Sequence, residues 1–381
     1  MANTLTGIIP TLYEAMNVTS REMVGFIPAV KRDSTVTRAA VGQTVRSPIG
    51  VSGDLEDITP GVNPAGTGDT TVSYHDVTMT RAKAAPIRWT GEEQLSVTST
   101  GVINNVLVDQ FADGMRKLVN AMEVDIALAG ANAASRAYGT AGTAPFGTAG
   151  DLADFAGAMQ ILENNGAPKS DLQLALNSAS MANLRGKQSV LFKVNEAGSS
   201  DMLRNGMTDR VQGFALRNSA GFALHTKGTG ASILVNNAAA AVGDTVIPAN
   251  GGSGTILAGD VITIAGDTNK YVVTSALSGG SLTIAAPGLR VAVADDAAIT
   301  VGATYTPNLA FARSAIVLAT RAPALPEGGD SADDRTTVSD PVTGMTFEVS
   351  MYKQYRQVKY EIAAVWGVGV PNPAHIATLL G

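Results

Sequence analysis

Three histidines, His75, His225 and His375, stand 150 residues apart, and the 381-residue chain has no cysteine. Thiolate catalysis, Cys-ligated zinc or iron–sulfur sites and a disulfide framework are therefore excluded, and no local cluster has metal-ligand spacing. The adjacent acids Glu92–Glu93, Asp295–Asp296 and Asp333–Asp334 have the residue type for general acid–base work. Neighbouring side chains point apart, however, and such pairs are far more often solvated than catalytic. No phosphate loop, HExxH, GxSxG or EF-hand pattern occurs, and Gly228-Thr229-Gly230 lacks the third glycine and following helix of a dinucleotide fingerprint. His75 suits a surface or interface role, His225 sits at a junction between segments of different character, and His375 lies near the end of the sequence; neither His225 nor His375 has an evident partner. Trp89 and Trp366 read as core or interface anchors. The chain is expected not to be an enzyme, with no catalytic residue, no cofactor and no metal.

Composition points the same way. Charged residues make up 16 % of the chain against a usual ~25 %, and apolar residues 45 %. With so few charges much of the surface is neutral, which suits a protein covered by copies of itself. The net charge of −6 and pI near 5.2 exclude a basic nucleic-acid footprint. Residues 1–46 carry five basic residues against three acids, too weak an excess for an RNA-condensing arm. The opening MANTLTGIIP has neither the charged nor the apolar region of a signal peptide, and no run of 18 apolar residues spans a membrane. At about 150 residues per domain, the length suggests two or three domains.

The elements follow from periodicity. Pro10 and Thr11–Met16 start a short helix, with Thr19 or Ser20 able to cap a further turn and Pro28 as a stop; so short a segment must lie against something else as an arm. Residues 41–90 hold a strand interrupted by Pro48, a Gly/Pro/Asp-rich tip and one long strand (70–90) whose phase slips near His75–Asp76, as at a bulge. Together they predict a projecting β-hairpin. Ile103, Leu107, Phe111, Met115, Leu118, Met122, Ile126 and Ala129 recur at helical spacing, predicting a spine helix of some 30 residues, with Ser99 or Thr100 as N-cap and Arg116, Lys117, Glu123 and Asp125 off the apolar stripe. Mixed α/β follows: helices at Asp151–Asn164 and from Ser178 with a serine cap, a buried strand at Leu172–Leu176, and strand fragments at Gln212–Leu216 and Phe222–His225. Between 226 and 305 charge thins, and six short strands separated by Gly-rich turns predict a small all-β barrel inserted into the surrounding domain: Ser232–Val235, Thr245–Pro248, Val261–Ile264, Lys270–Ser275, Ser281–Ala285 and Ala298–Val301. A strand at Ser314–Thr320, an acidic loop at 326–340 and strands through Met345–Met351 and from Val358 complete an α+β chain.

This order resembles the HK97-like fold of tailed-bacteriophage major capsid proteins, and within it the short-tailed Salmonella phage coat proteins that carry an inserted I-domain. The resemblance covers essentially the whole chain. It rests on TLTGIIPTLYEAM, on the strand-rich run into Trp89-Thr90-Gly91-Glu92-Glu93, and on GDVITIAGDTNKYVVTSALSGGSLTIAAP. It implies an N-arm (1–40), an E-loop hairpin lying over a neighbouring subunit (41–90), a P-domain (91–137 and 341–381), an A-domain (138–225 and 306–340) and an I-domain barrel (226–305). It implies a virion coat protein that self-assembles as pentamers and hexamers into an icosahedral shell around double-stranded DNA, built in the bacterial host cytoplasm. The expected partners are further copies, a portal protein, an optional decoration protein and packaged DNA bound without sequence specificity, with no membrane. The absence of a long scaffold-like segment before the arm implies a separate scaffolding protein. Covalent cross-linking through Lys83 is not expected, because no partner for it can be identified. The hairpin charges Arg46, Asp54, Glu56, Asp57, Asp69, Arg81, Lys83 and Arg88 are the candidates for intersubunit contact, setting register more than affinity. An encapsulin-type compartment shell is the alternative; a secreted β-rich binding protein and an enzyme rank below it.

Overall fold

The computed structural model describes residues 9–22, 25–53, 70–98, 103–188, 210–236, 239–339 and 344–381. Its axis is the helix Ile103–Ala133, 31 residues and so about 45 Å long. Phe111, Met115, Leu118, Met122 and Ile126 of the expected stripe are buried to 3 % exposure or less. Glu123, expected off the stripe, is buried at 2 %, because a second element covers that flank. The cap expected at Ser99 or Thr100 lies outside the described residues.

That element is the arm. Its helix runs unbroken over Ile9–Glu22, longer than Thr11–Met16, and buries Leu12, Ala15 and Met16 in the spine's core cluster. Thr19 is no cap here: its hydroxyl donates back to the Ala15 carbonyl at 3.0 Å within the same helix. The chain then turns through Gly25–Val30 and enters the strand Lys31–Ala39, which pairs in parallel with Val317–Pro323.

The main sheet lies across the spine. Its longest strand, Gln357–Gly369, pairs on one edge with Val317–Pro323 and Thr346–Gln354, placed end to end, and on the other edge with Arg81–Thr90. Asp334–Ser339 continues the sheet beyond Thr346–Gln354, so the end of the expected acidic loop is a strand. Tyr360 packs edge-on to Phe111 at 5.7 Å, and Trp366 donates its indole N–H to Asp125 of the spine at 2.9 Å.

The expected single strand over 70–90 is two. Thr70–Thr78 pairs with Thr44–Gly53 to form the hairpin, whereas Arg81–Thr90 leaves it for the main sheet. Thr70–Thr78 runs unbroken through His75–Asp76, where no bulge occurs: Val77 and Met79 face the body and Val72 and Tyr74 lie on the opposite, exposed face, so the phase slip is a change of apolar face. The hairpin's own irregularity falls on the facing strand, between Pro48 and Gly50.

A second sheet runs Arg136–Tyr138, Ile376–Leu380, Pro307–Ala312, Leu172–Leu176, Phe214–Asn218, Arg210–Val211, with the helices Ala153–Asn164 and Ser178–Lys187 beside it. Asn177, rather than a serine, caps the second helix, accepting from the Ser180 N–H at 2.7 Å. Phe222–His225 is no strand; only His225 bridges, to Tyr305. Ser314–Thr320 shifts to Val317–Pro323 behind a short 3-10 turn.

Six strands in the inserted segment close on themselves: Val261–Ile264, Ala298–Val301, Ile233–Val235, Val246–Asn250, Ser281–Ile284, Lys270–Ser278 and back to Val261–Ile264. Ile247, Ile262, Tyr271, Val273, Leu282 and Ile284 fill the barrel. Lys270–Ser278 also pairs through Lys270 and Tyr271 with Ala137 and Arg136, which fuses the barrel to the second sheet.

Candidate intersubunit surface

The hairpin is a two-stranded sheet whose strands pair with no other strand among the described residues. Its strands alternate because Val45 and Val77 face the body while neighbouring positions face water; Val77 joins Met79, Val317 and Val365 in a small buried cluster at the hairpin's root. Further out, Ile49, Val72 and Tyr74 are exposed, Tyr74 at 55 %.

Arg46 is held within the hairpin. Its Nε donates to Asp76 at 3.0 Å, and its guanidinium lies 5.4 Å from the Tyr74 ring centroid. The hydrogen bond from Arg46 holds the Asp76 carboxyl below its ordinary range, and the same bond raises Arg46. Arg81 points to the spine, 3.4 Å from Asp125, the carboxylate that also receives Trp366. Lys83 and Arg88 are exposed and have no ion pair with a described residue. With Asp109, Asp113 and Lys117 they line a groove of about 740 Å³ between the strand Arg81–Thr90 and the spine. Asp54, Glu56, Asp57 and Asp69 lie outside the described residues. Of the eight candidate charges, then, Arg46 stands on the hairpin, Arg81 at the hairpin's exit, and Lys83 and Arg88 on the main sheet's edge.

The remaining residues singled out by type have local roles. Glu93 accepts from the backbone N–H and hydroxyl of Thr90, and Thr90 Oγ1 accepts from Glu93 N–H at 3.3 Å, a capping box for the helix Gly91–Thr98. Asp333 accepts from Lys353 N–H and Asp334 from Arg335 N–H. Trp89 is buried with its indole N–H on Gln110 Oε1 at 2.7 Å. His75 is half-buried against Gly369. No group of three or more potential metal ligands occurs among the described residues.

Four buried carboxylates, Glu123, Asp260, Asp267 and Glu348, escaped the sequence reading, and the first two rest mainly on backbone donors. Glu123 accepts from Phe26 N–H on both oxygens and from Ile27 N–H, all at 2.9 Å, and from the Ser219 hydroxyl at 2.8 Å. Burial pushes its pKa up, and these donors pull it part of the way back. Asp260 accepts from Gly228 N–H at 3.1 Å, Leu257 N–H at 2.7 Å and His225 Nε2 at 2.8 Å. Backbone donors carry no sequence signature, so only the acid itself was legible.

No family model and no curated protein matches the sequence. Among solved structures the chain is similar to one from Mycobacterium phage Che8 (13 % identity over 89 % of this chain and 84 % of that one, TM-score 0.41). It is similar also to the capsid structure of the cyanophage P-SCSP1u (13 %, 94 % and 88 %, 0.44) and to a virus-like particle from Pyrococcus furiosus (10 %, 97 % and 98 %, 0.44).

Proposed function

We propose that this chain is a major capsid protein of the HK97-like type, a non-enzymatic coat subunit that assembles as pentamers and hexamers into an icosahedral phage head enclosing double-stranded DNA. The observation that carries the reading is the free-standing hairpin. A lone two-stranded ribbon is marginal in water. This one extends about 33 Å along Thr44–Gly53 and keeps Ile49, Val72 and Tyr74 in solvent. Its edges, unpaired among the described residues, are an association hazard for a monomer and a ready contact for a neighbouring copy. The arm packed along a 31-residue spine, the sheet across that spine and the closed barrel inserted in a second sheet support the same reading through the resemblance of the sequence.

On this reading residues 1–40 are the N-arm, 41–90 the E-loop, 91–137 with 341–381 the P-domain, 138–225 with 306–340 the A-domain, and 226–305 the I-domain of the coat-protein subfamily that carries one. The strand Arg81–Thr90 then serves as the root that ties the E-loop to the P-domain sheet. Further copies are the primary partner; a scaffolding protein, a portal protein, a decoration protein and packaged DNA complete the set, and the site of action is the virion, assembled in the host cytoplasm. Arg46, Lys83 and Arg88, with the acids of the hairpin tip, are the charges assigned to contacts between copies.

The test is negative-stain electron microscopy with sedimentation of the purified chain, alone and with a scaffolding protein encoded beside it. Closed uniform shells or capsomer-sized rings are expected. A strictly monomeric chain under both conditions at high concentration refutes the assignment.

A further inference from the structure

The spine helix carries a buried carboxyl group at the joint of the arm. Glu123 is 2 % exposed, and the groups acting on it are neutral donors: the N–H groups of Gly25, Phe26 and Ile27 and the hydroxyl of Ser219. Three of these four belong to one turn of the arm. The fourth sits on the segment that leaves the strand Phe214–Asn218. The turn is wedged in place: a Cβ on Gly25 would fall 2.4 Å from the Asn218 carbonyl oxygen, and the Phe26 ring lies between Phe222, edge-on at 5.0 Å, and Phe311, stacked at 6.1 Å.

A buried carboxylate without a cation is tolerated only while its donors are in place. Losing part of the turn leaves the buried carboxyl short of donors, so half-seated states are disfavoured. The helix Ile9–Glu22 depends on the same seat. Its buried contacts are to the spine, through Leu12, Ala15 and Met16 and the Thr19 hydroxyl, 3.4 Å from the Ala112 carbonyl oxygen. A 14-residue helix is marginal by itself in water. The main sheet, by contrast, has its own hydrogen-bonded ladder and does not need the turn.

We propose that the N-terminal arm is a strap, pinned at Gly25–Ile27 by Glu123, that seats on the spine and releases from it as one cooperative unit while the main sheet stays folded. The inference is independent of the shell reading. It makes the arm a switchable segment whose release uncovers the flank of the spine between Ala112 and Glu123.

Native-state hydrogen exchange on the full chain, read by mass spectrometry, tests it. In the unaltered protein, peptides within 9–22 and 25–30 should open with a common rate. Glu123→Gln keeps the size but places an amide against donors, and should speed exchange over the whole of 9–30 by roughly 10- to 100-fold while peptides of 346–369 keep their protection. Ser219→Ala leaves the carboxylate and three donors and should speed the same segment several-fold less. If helix 9–22 exchanges at its original rate in both variants, the helix is held independently of the pin and the proposal fails. If protection falls equally in 346–369, Glu123 is an ordinary core contact and the strap is refuted.

Discussion

His225 Nε2 lies 2.8 Å from Oδ1 of Asp260, joining the point where the chain enters the inserted barrel to the residue that opens the barrel strand Val261–Ile264. Around this contact the entry and exit segments are bridged by His225 and Tyr305, and the Tyr305 hydroxyl donates to the Gly259 carbonyl at 2.7 Å. The barrel is thus fastened at its neck as well as along the short seam between Lys270–Tyr271 and Arg136–Ala137.

The neck predicts a local instability. Asp260→Ala leaves the N–H groups of Gly228 and Leu257 and the His225 ring without their acceptor in a buried place. A loss of about 2–4 kcal/mol is expected, read by urea unfolding, with the increase in hydrogen exchange concentrated in residues 226–305. His225→Ala should cost less, because both backbone donors keep the carboxylate. An Asp260→Ala protein that unfolds at the original midpoint would mean that strand pairing alone holds the barrel.

Arg46 and Asp76 are both solvent-exposed, so their pairing is screened and contributes little to folding. Arg46→Glu and Asp76→Lys should leave the melting temperature of the unassembled chain unchanged. If the hairpin contacts a neighbouring copy, each reversal should lower the yield of shells, and the double reversal should recover part of it. Equal yields for all four proteins, measured by sedimentation, would remove Arg46 from the contact.

His375 offers a pH test. Burial pushes its pKa below the ordinary histidine value, and its Nδ1 is buried without a hydrogen-bond partner among the described residues. The folded state therefore holds the neutral ring. Above the unfolded pKa of about 6.5 both states are neutral and pH has no effect through this group. As pH falls below that value the unfolded chain takes up the proton first, and stability drops until the folded-state pKa is passed. Denaturant unfolding between pH 7.5 and 5 should show this loss, and His375→Gln should flatten it. An unchanged slope in the variant would assign the acid sensitivity elsewhere.

Much of this architecture was legible. The spine declared itself because Phe111, Met115, Leu118, Met122 and Ile126 keep a helical period against one large core. Strands of the barrel did so because Ile262, Ile264, Leu282 and Ile284 alternate between Gly-rich turns. The hidden parts depend on long-range backbone contacts. Thr70–Thr78 and Arg81–Thr90 read as one strand because nothing at Met79–Thr80 breaks β propensity; the break exists because Thr80 N–H is taken by Trp366, far along the chain. Glu123 read only as off the apolar stripe and Asp260 drew no reading, because their partners are mostly main-chain N–H groups. Of the contact candidates, the sequence placed Lys83 and Arg88 on the hairpin because they continue its strand pattern, whereas pairing to Gln357–Gly369 carries them into the body.

That crossing is itself testable. At the hairpin's root the chain passes directly over the main sheet: a Cβ on Gly367 would fall 2.1 Å from the Thr78 carbonyl oxygen and 3.1 Å from Met79 Cα. The root is closed by Met79 N–H to Gln43 O at 2.8 Å and Gly42 N–H to Met79 O at 2.9 Å. Gly367→Ala must push this crossing off the sheet, at a cost of about 3 kcal/mol by the measure of overpacked cores. Gly50→Ala, further out on the hairpin with open space around it, is the matched control and should be silent in folding. Limited proteolysis should then cut the Gly367→Ala protein faster within 41–80 while the barrel resists as before. If the hairpin joins copies, this variant should also assemble poorly where Gly50→Ala assembles well, because a ribbon that has lost its fixed root no longer presents Ile49, Val72 and Tyr74 at a set position. Faster cleavage with unimpaired assembly would instead place the contact between copies elsewhere and leave the crossing a purely internal support.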